Sequence, residues 1–218
     1  MIDNTPIKQR LQITFGKFDA LIYISNLDVA KLWERVLRRA DLPILYSEGF
    51  NPRPRIALAS ALPLGISSEC EVLDVAMRTP ISLEGLIERL LATSPSGLRI
   101  YRVDEVPVRS PTLQTLVRSA EYRIELDEAV DRAALEERIA QLLRQPTVIL
   151  MRERKGQAVP TDVRPLIYEV KLDGTGDLLA HLAVGDQGNL RPDELGALLE
   201  LSDAVVSVHR FRLHIDRA

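Results

Sequence analysis

A proline-punctuated stretch at residues 107–116 divides this chain into halves that repeat one order of strands and helices, and the repeat constrains the fold more than any other feature. In the first half, Leu11, Ile13 and Phe15 alternate along Arg10–Phe15, the period of a half-buried strand. Gly16 to Asp19 reads as a turn and Ala20–Ile24 as a short apolar strand. Ser25 or Asn26 can cap a helix there, with Asp28 well placed near its N-terminus. Val29, Leu32, Trp33, Val36, Leu37 and Ala40 then recur at helical spacing until Pro43 stops them. Strands are expected at Ile44–Tyr46 and Arg55–Ala59, on either side of a Gly/Pro loop, and at Glu71–Met77. Ser82 is positioned to cap a second helix carrying Leu83, Leu86, Ile87, Leu90 and Leu91, and Leu98–Val106 closes the unit as a strand.

The order then recurs. Glu121–Leu126 reads as a strand, Asp131 as the cap of a helix bearing Leu135, Ile139, Leu142 and Leu143, and Val148–Met151, Val163–Leu172 and Leu178–Val184 as strands. Pro192 fits the first turn of a helix with Leu195, Leu198 and Leu199, before a last strand at Val205–Ile215. Each half is thus β-α-β-β-α-β. The expected fold is α+β: two tandem ferredoxin-like domains with antiparallel sheets and helices on one face of each, at 1–106 and 119–218, joined by a linker at 107–118. The halves share no evident identity, so the duplication is one of topology.

Composition bounds the function. No apolar run nears the roughly 18 residues a membrane span needs, and the start of the chain lacks a secretory signal, so a cytoplasmic protein with no membrane partner is expected. Cys70 is the only cysteine; this chain alone makes neither an internal disulfide nor an iron–sulfur cluster. The net charge of −3 argues against wholesale coating of nucleic acid. Residues 1–115 carry 14 basic and 13 acidic side chains, and the rest 14 and 18, so local clusters must carry any anion-binding argument.

Four segments stand out. In Tyr46 to Arg55 (YSEGFNPRPR), two prolines fix the backbone while Tyr46, Phe50, Asn51, Arg53 and Arg55 supply rings, an amide and guanidinium groups suited to a phosphate or an unstacked base. A plain hairpin loop with inward-packed aromatics is the competing reading. Along 61–74, Glu69 and Glu71 fall on one strand face and, with Asp74, offer carboxylates for a hard cation or a basic partner; a solvated strand edge competes. Arg152, Arg154 and Lys155, with Arg164 after a glycine turn, form an anion site or a hairpin with cross-strand ion pairs. Gly185 to Pro192, with Asn189 and Arg191, leads flexible backbone into a helix N-terminus but lacks a phosphate-loop ending. Among the three histidines, His209 and His214 lie five apart on one strand, on opposite faces, and make no metal pair.

The segments YSEGFNPRPRI, LPLGISSECEVLD, RERKG, DVRPLI and GNLRPDELGALL, in this order, resemble those of the radical SAM-linked protein family. That resemblance implies a protein encoded beside, or fused behind, an uncharacterised radical SAM protein with a cobalamin-binding-type domain. The cluster, SAM and cobalamin would then belong to the partner, with no cofactor in this chain. Genes of the family tend to lie near those for ribonuclease and ribosomal proteins, which implies an RNA-linked role. Asn26 stands where many relatives carry histidine, so a general base at that position is not expected here. The function expected is accessory: a partner of a radical SAM enzyme, presenting an RNA or ribosome-related substrate. A stand-alone RNA-binding or RNA-processing protein, and a small-molecule enzyme with an inter-domain cleft, are the alternatives.

Overall fold

The computed structural model describes residues 6–154, 156–186 and 188–216. It is a mixed α+β chain in which antiparallel strands outweigh the helices, and it divides into two compact units, Met1–Val117 and Arg118–Ala218. No helix among the described residues is long and apolar enough to cross a membrane.

The first unit runs β1 (Gln9–Lys17), α1 (Asn26–Arg39), β2 (Ile56–Leu58), β3 (Ile66–Met77), α2 (Leu86–Leu91), β4 (Leu98–Val106) and a helical turn, α3 (Leu113–Leu116). β1 lies antiparallel between β3 and β4, and β2 pairs antiparallel with β3, so the strand order is β4-β1-β3-β2. Alternation explains the core. Leu11, Ile13 and Phe15 of β1 face the same way and meet Leu73, Val75 and Met77 of β3 beneath Trp33, Val36 and Leu37 of α1 and Leu86 and Leu90 of α2. Trp33 is wholly buried, its ring edge-on to Phe15 with centroids 5.0 Å apart. Ser25 settles the cap of α1: its Oγ accepts from the Asp28 N–H at 3.2 Å.

Several local expectations need correction. Ile44–Tyr46 is not a strand but makes isolated bridges at Ile44 and Tyr46, and Gly16 and Lys17 belong to β1 rather than to a turn. Ala20–Ile24 is not a strand: Asp19–Tyr23 forms a 3₁₀ turn, entered by Asp19 at φ +52° and tied down by the buried Lys17 ammonium, which donates to the carbonyls of Ile22 (3.4 Å) and Ile24 (3.2 Å). Ser82 does not cap α2, which starts after Gly85; its Oγ instead accepts from Glu84 N–H in a local turn. The stretch expected as linker is anchored. Arg10 donates to the carbonyls of Ser110 and Pro111 (2.9 Å to the latter), Leu113 is buried, and the next strand begins at Val117.

The second unit runs β5 (Val117–Leu126), α4 (Arg132–Arg144), β6 (Ile149–Arg154), β7 (Gln157–Asp162), a 3₁₀ turn at Arg164–Leu166, β8 (Ile167–Leu172), β9 (Leu178–Ala183), α5 (Pro192–Leu198) and β10 (Val205–Ile215). Its strand order is β10-β5-β9-β8, with β5 and β8 both antiparallel to β9. Ala120, Tyr122, Ile124 and Leu126 are buried on one side of β5, as are Leu178, Ala180 and Leu182 of β9, together with Leu135, Ile139 and Leu142 of α4 and Leu195 of α5. Asp131 caps α4 by accepting from Ala134 N–H at 3.1 Å, and Pro192 occupies the first turn of α5. Val148–Met151 is not a strand of this sheet. Residues 149–162 form a separate two-stranded ribbon, β6-β7, inserted between α4 and β8.

Candidate functional site

The Tyr46–Arg55 segment is an arm on the first unit whose base is locked and whose tip is exposed. Leu45 N–H donates to Ala76 O and Ala76 N–H to Arg55 O, at 2.8 and 3.0 Å, so both legs of the arm are stitched to the end of β3. Arg55 N–H donates to Leu45 O at 2.8 Å, and Tyr46 bridges Pro54. Higher up, Ser47 N–H donates to Arg53 O at 2.8 Å while Arg53 N–H returns a bond to Ser47 Oγ at 3.0 Å. Gly49, at φ +121°, makes the reversal that a side chain would resist. The tip beyond these ties consists of exposed Glu48, Phe50, Asn51, Pro52 and Arg53. Phe50 is as open as in an extended chain, at 106% relative exposure. The two aromatics therefore part company: Tyr46 packs against the core of the unit, whereas Phe50 has no burial at all.

The second cluster expected from sequence is brought together only in part. Arg152, Asn189 and Arg191 line one groove of about 640 Å³ between β6 and the start of α5, with Met151, Asp193 and Glu194. Its arginines are neutralised in place. Arg152 grips Glu194 through Nε (2.9 Å) and Nη2 (2.8 Å) and also donates to Asn189 O, while Arg191 pairs with Asp193 at 2.9 Å. Glu194 Oε2 also accepts from Arg191 N–H, so one carboxylate ties the ribbon to the helix entry. Arg164 lies elsewhere. Its guanidinium donates to Leu143 O at the end of α4 (3.0 and 3.3 Å) and to Ile167 O (2.9 Å), which is helix C-capping work. Lys155 and the side chain of Arg154 lie outside the described residues.

The carboxylates at 69–74 do not share a role. Glu69 is exposed, Glu71 is buried and accepts from Ser68 Oγ at 2.6 Å, and Asp74 is committed to Arg10. A shift in register between Phe15 and Lys17 of the paired strand breaks the alternation that put Glu69 and Glu71 on one face. Among the described residues no group of three or more His, Cys, Asp or Glu side chains could hold a metal ion.

One constellation was invisible in the sequence. On the face of β5 and β9 opposite Tyr122 and Ile124, three flat rings run in a row: Tyr168 edge-on to His181 at 5.0 Å, and His181 tilted 31° to His214 at 4.8 Å. Hydrogen bonds orient the two imidazoles. His181 Nε2 lies 2.8 Å from Ser119 Oγ, and His214 Nε2 lies 2.7 Å from Glu121 Oε1. Partial burial pulls the His181 pKa below its ordinary value, and the neighbouring His214 pulls the same way against Glu121 and Glu169. For Glu121, burial works to raise the pKa, but the His214 bond with the charges of Arg212 and His214 outweighs it, so the group stays below the usual carboxylate range. Reading one strand at a time sets His209 and His214 on opposite faces, but it cannot pair His214 with a histidine from β9.

The pattern of a protein family described as "Uncharacterized protein conserved in bacteria (DUF2344)" matches residues 10–192. No curated protein matches the sequence. Among solved structures, a chain of the "Crystal Structure of a Cbf5-Nop10-Gar1 Complex" superposes with a TM-score of 0.45 at 15% identity, over 93% of this chain and 48% of that one, so the protein spans about half of that chain's length.

Proposed function

The chain belongs to the bacterial DUF2344 family, and from that premise we propose that it is a non-catalytic cytoplasmic partner of a radical SAM enzyme, docking through the Tyr46–Arg55 arm and presenting an RNA substrate. The observation that carries this reading is Phe50, wholly exposed at the tip of an arm whose base is fixed by hydrogen bonds. A bare phenylalanine at the tip of the arm adds nothing to the fold's own core. Buried in a partner's pocket it supplies about 1.5–3 kcal/mol. Aromatic anchors beside an arginine have the character of interface hot spots. The identity of the partner rests on the resemblance of the five motif segments to radical SAM-linked proteins. In this division of labour the partner holds the cluster, SAM and cobalamin. We also assign the ferredoxin-like topology to each unit; what supports it is the shared order of outer, first, third and second strand.

The test is capture of the cluster-loaded radical SAM enzyme by this chain under anaerobic conditions. Wild type is expected to retain it and Phe50→Ala to lose at least about tenfold in affinity with unchanged thermal stability, since the ring contributes nothing to the core. Equal capture by both proteins, or by neither, would sink the docking role of the arm. Exposed Arg53 beside Phe50 favours a second reading, a stand-alone RNA binder. Salt-sensitive RNA binding by the isolated chain, abolished by Arg53→Ala with Arg55→Ala, would select it.

A further inference from the structure

We infer that the row Tyr168–His181–His214 is a stacking platform for unpaired nucleobases of single-stranded RNA, an inference that rests on the reading that this chain presents RNA. Three conjugated rings at 4.8–5.0 Å spacing, carried on strands β8, β9 and β10, make a strip on one sheet face. Flat rings on a sheet face suit the flat faces of bases that have left a helix. Both ends of the strip are open: Tyr168 is 54% exposed and the His214 side chain 37%. The middle ring is oriented by Ser119 and the end ring by Glu121, so little rotational freedom remains for a ligand to freeze out. The hollow beside His181, between Glu169, Lys171 and Phe211, measures only about 60 Å³. That volume admits water but not a base, so a base stacks on the open face of an end ring, Tyr168 above all, rather than entering a pocket.

Charge separates this surface from a phosphate track. The cations beside the rings are already paired: Arg212 with Glu121 at 3.2 Å, Lys171 with Glu169 at 2.7 Å, and Arg123 with Asp173 and Asp177. Of these, the Arg212 side chain is the most open, at 63%, and its acid partner is shared with His214, so it is the group free to turn to a phosphate. Affinity therefore comes mainly from stacking, and it falls only slightly with salt.

The experiment is fluorescence anisotropy of the full chain with labelled single-stranded oligo(A) and oligo(U) of about eight nucleotides. Tyr168→Ala is expected to weaken binding about tenfold and Tyr168→Phe less than about twofold, because stacking needs the ring and not the hydroxyl. His214→Ala is expected to act in the same direction, and ring-current shifts of the His214 protons would appear on titration with RNA. Between about 50 and 200 mM salt the affinity should change far less than for a protein making many phosphate contacts. Binding that survives Tyr168→Ala, that is lost equally with Tyr168→Phe, or that falls steeply with salt overturns the platform. If Arg53→Ala with Arg55→Ala removes RNA binding while Tyr168→Ala leaves it intact, the platform fails alone and the RNA reading stands. No binding of single-stranded RNA by wild type overturns both, and a protein seated on the rings to the exclusion of RNA overturns the choice of ligand.

Discussion

Arg10 and Asp74 meet at 2.7 Å with side chains about nine-tenths removed from water, and Arg10 spends its remaining donors on the carbonyls of Ser110 and Pro111. A buried pair is weak evidence of net stability, but removing one member leaves the other charge stranded. Asp74→Ala is therefore expected to cost about 3–5 kcal/mol in urea unfolding, and to loosen residues 110–111 in hydrogen exchange. A loss below about 1 kcal/mol, the value of a surface pair, would show that water reaches Arg10. Gly16 matters for a different reason. A Cβ there would sit 2.4 Å from the Phe18 ring and 2.5 Å from the Tyr101 hydroxyl, in the corner where the Arg99 guanidinium lies 4.2 Å over Phe18. Gly16→Ala should destabilise by about 1–3 kcal/mol through overpacking. Neither effect was legible beforehand: Asp74 reads as one carboxylate of an acidic run and Gly16 as a turn residue, because a sequence shows what a residue is and not what stands across from it.

At the level of elements, reading was most secure where a local rule operates. Asp131 and Pro192 act within one turn of chain, so their helix starts could be read directly. Asp131→Ala should cost about 1 kcal/mol, visible as a lower midpoint in urea with an unchanged slope. The failures came where a distant group intervenes. Ala20–Ile24 has the composition of a strand, yet the Lys17 ammonium gathers its carbonyls into a turn. Val148–Met151 is apolar enough for a strand of the sheet, but β6 pairs with β7 instead, closing a ribbon that Arg152 fastens to Glu194. Arg164, a plausible anion ligand by type, is used up in closing the end of α4.

For the molecule as a whole, acid stability should fall in two separate windows. His181 has a folded-state pKa below its ordinary 6.5, so the unfolded chain takes up that proton first. This contribution is complete above pH 6.5 and declines as pH drops toward the folded value; His181→Gln should flatten the curve there. Asp173 is held at about 2, against 3.8 when unperturbed, first by the Thr175 hydroxyl, against the opposing effect of desolvation, and then by the Thr175 and Asp177 amides and the charge of Arg123. Its contribution is present above pH 3.8 and is lost between there and about 2. Urea midpoints across this range, for wild type and His181→Gln, measure both windows; coincident curves above pH 4, a bound set roughly by the unperturbed carboxylate, would sink the histidine assignment. From the amino acids alone came most of the elements, their buried faces and two helix caps, since each depends on period or on neighbours within a turn. Only the folded chain could choose partners: Arg10 for Asp74, Arg152 for Glu194, His181 for His214. Periodicity assigns a side chain to a face, but strand pairing determines which residue from a remote part of the chain shares it.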